Sequence, residues 1–243
     1  MKKSLINRFV EKYNLGGNIN SVVLSVKDNK LTTRFITDDK SLLGEMTLDK
    51  FTFDDCELGV YSTDQLVKLL GVVGDDIDVS VAKAGEGSEE KAVSFKVSDK
   101  AATVTYMLSD LSVINRPPNL KQLPDFVTKI KVDKGFMDTF IKGKNALPDV
   151  DNFTVVSNSN NVDLVIGYSE ISTNRVTIPV TTTEHAECEN ISFNAKLFKD
   201  VLTANKECSS ATLEVSDKGL ARISFKVDDY SVTYYLVAVD EVD

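Results

Sequence analysis

Lys196, Lys199, Thr203 and Lys206 recur at steps of three and four residues, so at 100° per residue they share one helical sector, opposite Leu197 and Val201. A row of ammonium groups with a hydroxyl among them is suited to binding phosphate oxygens. Three other amphipathic segments carry cations, and the candidate phosphate contacts are Arg8, Lys12, Lys68, Lys134, Lys142, Lys144, Lys196, Lys199 and Lys206. None of the four segments holds a run of Asn, Gln and Arg that could read base edges, so the expected contact is to the backbone and independent of sequence.

Solvated helix faces collect lysine in any protein, but the balance across this chain is uneven. Of 28 basic and 37 acidic residues, eleven bases and five acids fall on the four segments, counting generously at their ends. The helices carry +6 and everything else −15, within a formal charge of −9. Nucleic acid repels a net anion unless its cations are gathered on one surface, so the distribution decides the partner. Tryptophan is absent and aromatics make up 8% of the chain, which argues against exposed base-stacking platforms and leaves duplex backbone contact open.

Other chemistry finds little support. His185 is the only histidine, and a metal site would need carboxylates and Cys188 at poor spacing, so no metal and no cofactor is expected. Gly143-Lys144 lacks the rest of a phosphate-cradling loop, and Gly85-Glu86-Gly87 reads as turn chemistry. No nucleophile and base are paired, so the chain is not expected to be an enzyme. Asn152-Phe153-Thr154 and Asn190-Ile191-Ser192 match the glycosylation pattern, which arises by chance at this rate. Three cysteines fit no disulfide framework and point to a reducing, cytoplasmic setting, and no apolar run suggests a signal peptide or membrane span.

Positioning these cations falls to four short helices predicted at about 4–13, 64–73, 133–145 and 195–205, with Ser62, Thr63 or Asp64, then Asp133 and Asn194, as N-caps. Between them, period-two alternation rich in β-branched residues predicts strands at 21–26, 31–36, 42–48, 53–62, 77–81, 93–97 and 103–108. The second half gives 127–132, 153–157, 162–168, 175–180, 188–193, 211–215, 221–227 and 231–239. The fold class is α+β, with mostly antiparallel sheets.

The halves repeat one another. Ser94-Phe95-Lys96-Val97 returns as Ser224-Phe225-Lys226-Val227 and Val104-Thr105-Tyr106 as Val232-Thr233-Tyr234, at offsets of 130 and 128, as though only the turn between them had shortened. Asp55-Cys56-Glu57 returns as Glu187-Cys188-Glu189 at 132, and Leu66-Val67-Lys68 as Leu197-Phe198-Lys199 at 131. A period near half the chain is too long for a solenoid and implies two homologous domains. They are expected at 1–111 and 126–243, joined by a connector over 112–125 that holds Pro117, Pro118 and Pro124.

Tandem strand-rich domains, each with two basic helices, joined by a proline-containing connector and ending in Tyr234-Tyr235-Leu236-Val237-Ala238-Val239-Asp240-Glu241, resemble the DNA sliding clamps. The clamps of T-even-type tailed phages are the nearest likeness, through Leu58-Gly59-Val60-Tyr61, the helix from Leu66 and Asp75-Asp76, and the proliferating cell nuclear antigen family is similar. The resemblance implies a closed homotrimeric ring of six domains around duplex DNA, with helices lining the hole and sheets outside. It implies a processivity factor that slides on DNA and tethers the replicative polymerase, is loaded by an ATP-driven clamp loader, and works in the cytoplasm, that of the host if viral.

Subunit contact is expected to pair strand 103–108, with Val104, Tyr106 and Leu108, against strand 175–180 of the next copy, with Val176, Ile178 and Val180. The resemblance places a groove for client peptides at Leu42, Leu111, Val113, Ile114, Pro117, Val237 and Val239. A phage tail or capsid β-protein would share the sheets and the acidity but gives no reason for basic helices. A DNA-binding processivity factor that forms no ring would keep the cationic face.

Overall fold

The computed structural model describes residues 1–85, 90–120, 122–159, 161–169, 171 and 173–239. Glu86 and Gly87 of the expected glycine turn, Lys121 of the connector and the acidic end at Asp240 and Glu241 lie outside them. Two compact units divide the chain: residues 1–35 with 45–117, and residues 36–44 with 118–243. The second unit therefore takes in a short segment from the first half. There Leu42 is wholly buried and the Val237 N–H donates to the Ser41 carbonyl.

Unit 1 runs α1 (Lys3–Asn14), β1 (Val22–Lys27), β2 (Lys30–Ile36), β3 (Leu42–Leu48), β4 (Cys56–Val60), α2 (Thr63–Leu70), β5 (Asp78–Ala84), β6 (Lys91–Ser98) and β7 (Thr103–Met107). β1 pairs antiparallel with both β2 and β4, and β6 with both β5 and β7. Asp28 and Asn29 close the β1–β2 hairpin, both at positive φ, as a two-residue turn of this hand requires.

Unit 2 runs β8 (Thr128–Asp133), α3 (Lys134–Ala146), β9 (Asn152–Ser157), β10 (Val162–Ile166), β11 (Val176–Pro179), β12 (Thr182–Glu184), β13 (Cys188–Asn194), α4 (Ala195–Ala204), β14 (Ser210–Ser216), β15 (Leu220–Val227) and β16 (Tyr230–Val237). Its strands order as β11-β10-β9-β13 and β12-β8-β14-β15-β16. The first of these sheets repeats the unit 1 order β2-β1-β4 as β10-β9-β13, and the second repeats β5-β6-β7 as β14-β15-β16. Even the isolated bridge Lys2↔Asp76 has its counterpart, in Asp133↔Ser210. The duplication read from the sequence is a duplication of topology.

Two readings need correction. β12 adds to the expected strands; it is three residues long and meets β8 through an irregular register. The repeat is also slipped by two residues in one hairpin. Phe95 faces Tyr106 across β6 and β7, whereas Tyr234 faces Ile223 and Phe225 faces Val232 across β15 and β16. The two tetra- and tripeptide matches therefore cannot both be structurally equivalent. The slip lies in where the second chain turns: Asp99 to Ala102 joins the first pair, and Asp228 and Asp229, with Asp228 at positive φ, join the second in place of Asp229 and Tyr230.

The helices begin where their caps are. Asp133 Oδ1 accepts the Phe136 N–H and Asn194 Oδ1 the Leu197 N–H, each at 2.9 Å, and Ser62 Oγ accepts from Gln65. α1 has no cap of its own. Asp75 Oδ1 receives the Ser4 N–H at 2.8 Å, which draws the Asp75 carboxyl below the ordinary carboxylate range. Among the described residues no helix is long and apolar enough to cross a membrane.

Candidate nucleic-acid interface

In unit 2, α3 and α4 lie side by side on a stack of aromatic rings. Phe198 sits 4.8 Å from Phe140 and 4.9 Å from Phe153, and 6.5 Å from Phe136. Because Phe140, Met137, Phe198, Val201 and Leu202 are all turned into this core, residues about two steps away, on the opposite side of each helix, are left outside. Those are Lys134, Asp138, Thr139, Lys142 and Asn145 on α3, and Lys196, Lys199, Asp200 and Thr203 on α4, with Lys206 just beyond. Lys199 Nζ reaches Asn145 Oδ1 at 3.4 Å and ties the two outer faces together, and Lys196 pairs with Asp200 at 3.2 Å. Thr139 and Thr203 hydroxyls donate back to the carbonyls of Gly135 and Lys199. The result is a polar surface of ammonium, amide and hydroxyl groups, with the carboxylates of Asp138 and Asp200 among them.

Unit 1 presents a different face. α1 and α2 pack together, with the buried Tyr13 hydroxyl 3.1 Å from Thr63 Oγ1. Arg8 is half-buried and Lys68 is exposed, but acids stand beside them at Glu11 and Asp64, and Val67 and the following Val72 are 43% and 61% exposed.

Two candidate phosphate contacts are misplaced. Lys12 is 1% exposed and Lys144 6%, and Lys144 Nζ donates to the carbonyls of Leu147 at 3.2 Å and Pro148 at 2.9 Å, satisfying the end of its own helix. They occupy equivalent places in the two copies, 132 residues apart like Cys56 and Cys188. Each lies three or four residues from a buried ring, Phe9 or Phe140, and so on the inward flank.

The candidate interface residues also face inward. Val104, Tyr106 and Ile178 are buried, and Tyr106 Oη accepts from the Ser62 N–H at 2.9 Å; Leu108, Val176 and Val180 are half-buried. What the two strands leave open is their backbone edge. The Leu108 N–H bonds Val93 on β6 and the Val180 N–H bonds Val162 on β10. By the alternation of an antiparallel strand, the amides of Thr103, Thr105 and Met107, and those of Arg175 and Thr177, then point away from their sheets. Met107, 67% exposed, is the apolar residue of that edge, and strand parity was the signal that could have found it.

Of the candidate peptide-groove residues, Ile114 and Leu42 are buried, while Leu111, Pro117 and Val239 are half-buried. Val113 in unit 1 and Val237 in unit 2 stand out to solvent. The connector is held firmly against β4. Ser109 N–H donates to the Gly59 carbonyl, Asp110 accepts from the Ser112 N–H and from Lys91, and Arg116 Nη2 spans both oxygens of Glu57 at 3.1 and 3.2 Å. The Ser112 and Lys91 bonds hold the Asp110 carboxyl far below its ordinary value. His185 hydrogen-bonds Thr182, and burial pushes the Cys56 and Cys188 thiols up, away from thiolate reactivity.

Two duplicated α+β units, each with antiparallel sheets and a pair of short helices, define the sliding-clamp fold. Searches of family models and of curated proteins find no match. Solved structures match over nearly the whole chain. Proliferating Cellular Nuclear Antigen from Entamoeba histolytica is similar at a TM-score of 0.71 and 15% identity, covering 98% of this chain and 96% of that one. The A. fulgidus PCNA to which a C-terminal region of FEN-1 is bound is similar at a TM-score of 0.75 and 15% identity, covering 100% of this chain and 98% of that one.

Proposed function

We propose that the chain is a DNA sliding clamp: copies of it close into a homotrimeric ring around duplex DNA and tether a replicative polymerase or another DNA-processing enzyme. The observation that carries this reading is the end-to-end match to PCNA in a chain whose cations are concentrated on its helices. Topology holds such a ring on DNA, and screened lysine contacts let it slide. A closed ring needs an ATP-driven loader, and we read the chain as a clamp of the T-even-type phage kind on Leu58-Gly59-Val60-Tyr61 and the helix that follows. In unit 2 the exposed Val237 is the candidate apolar anchor for client peptides.

Ring closure uses the open edges of β7 and β11 in successive copies. Pro179 has no N–H to offer on the outer side, which favours an antiparallel register centred on Thr105↔Thr177, with Met107 opposite Arg175. A chain carrying Thr105→Cys and Thr177→Cys should form an intermolecular disulfide under oxidation, and each single variant should not. Three copies of 26.7 kDa predict a sedimenting species of about 80 kDa. The decisive measurement is retention on nicked circular duplex in high salt, lost when the circle is cut. A protein that leaves circle and linear DNA at the same rate is not a clamp.

A further inference from the structure

We infer that unit 2 supplies most of the phosphate contacts to duplex DNA, although both units carry basic helices. This rests on the clamp reading and adds to it an unequal division between the two copies of the repeat. Four exposed lysines of the candidate set have no partner among the described residues: Lys134, Lys142 and Lys206 in unit 2 and Lys68 alone in unit 1. The N-terminal lysines are engaged by their own unit. Lys2 Nζ lies 2.6 Å from Asp76 and 3.8 Å from Asp75, and Lys3 Nζ donates to the Val73 carbonyl.

The neutral residues divide in the same way. Around the unit 2 lysines the exposed positions are Thr139, Asn145 and Thr203, which can accept or donate to phosphate and water. Around Lys68 they are Gln65 and Val67 on α2, which packs against β7, and Val72 just beyond its end. Dehydrating two valines beside a polyanion gains nothing, so this face suits protein and the α3–α4 face suits DNA. Duplex backbone is the fitting occupant, because the cations are spread along two helices with no base-reading side chains among them.

The test compares K134Q/K142Q/K206Q with R8Q/K68Q in binding to a linear duplex, followed by fluorescence anisotropy across a salt series. Removing one lysine–phosphate pairing lowers the slope of log K against log salt by about 0.9. The triple variant should lower it by about 2 to 3, and R8Q/K68Q by less than about 1. K142Q and K206Q alone, at exposed sites, should show the same direction should the triple variant fold poorly. An R8Q/K68Q effect equal to or larger than the triple effect overturns the inference, as does an unchanged slope in all unit 2 variants. Salt slope decides this inference and retention on a circle decides the clamp reading, so the two failures are told apart.

Discussion

The two units share a topology but fill it differently. Unit 2 is built on five phenylalanines, Phe136, Phe140, Phe153, Phe193 and Phe198, whose rings touch in a chain from α3 and α4 to β9 and β13. Unit 1 has the buried set Phe9, Tyr13 and Phe35 on one side. Elsewhere in its core it leaves an apolar cavity of about 30 Å³ among Leu24, Val26, Phe51, Val60, Leu66 and Phe95. A duplicated backbone can therefore carry two different cores. The copy built on the aromatic stack holds the polar lysine face, and the copy with this cavity anchors the connector.

The largest expected effect follows from this contrast. Phe198→Ala removes a ring packed against three others and should cost about 4 to 5 kcal/mol, from the upper range for buried aromatics. Phe51→Ala, beside an existing void, should cost about 3. Urea denaturation measures both, and equal losses would break the claim that the cores differ in packing.

Connector anchoring gives the next effect. A Cβ at Gly59 would stand 2.3 Å from the Ser109 carbonyl oxygen, so Gly59→Ala must push the connector strand off β4 at a cost of about 1 to 3 kcal/mol. Faster hydrogen exchange at the Ser109 amide should report it. The equivalent place in unit 2 is Ser192, whose carbonyl accepts the Val239 N–H and which already carries a side chain, so Ser192→Ala should leave the chain after β16 in place. Loss of protection at both sites would mean that the units anchor their last strands alike.

Acid should separate the units more gently. Asp75 and Asp99 in unit 1 have carboxyls drawn below their ordinary values, Asp99 chiefly by the Gly74 N–H and then by the Ala102 and Ala101 amides. A depressed folded-state pKa contributes stability that is present above the unfolded value near 4 and lost as pH falls through the folded one. Unit 1 should therefore loosen first below about pH 4, and Asp75→Asn with Asp99→Asn should flatten that dependence while lowering stability at neutral pH. Chemical shifts of the two units followed from pH 6 to pH 2 test this, and simultaneous loss would remove the distinction.

Much of this was legible in the sequence. Caps at Ser62, Asp133 and Asn194, the four helices and the duplication follow from local rules, because a side chain that satisfies its own helix end needs no distant partner. Failures came where identity and orientation part company. Lys12 and Lys144 count as surface charge because they are lysines, although their spacing from Phe9 and Phe140 already puts them on the inward flank. The hairpin slip is invisible because two residues along a strand return to the same face, so alternation fits either register. Val104, Tyr106 and Ile178 look like interface residues because they are apolar, when alternation turns such residues into the core and leaves the edge to Thr105 and Met107. Which candidate lysines have no partner among the described residues depends on tertiary contacts such as Asp76 for Lys2, and no local pattern encodes those.

The smallest effect is the sharpest probe of the packing contrast, because here the two units should respond with opposite sign. Val26 in β1 lines the unit 1 cavity, and Val155 in β9, the counterpart of its neighbour Leu24, is buried beside the phenylalanine stack. Adding one methylene at Val26→Ile places it in existing space and should stabilise by up to about 0.8 kcal/mol. The same addition at Val155→Ile meets a filled core and should destabilise by about 1 to 3 kcal/mol through displaced rotamers. Differential scanning calorimetry of both variants reads the sign directly. Should both destabilise, the unit 1 void has a shape that no β-branched side chain can use, and the difference between the copies reduces to their aromatic content alone.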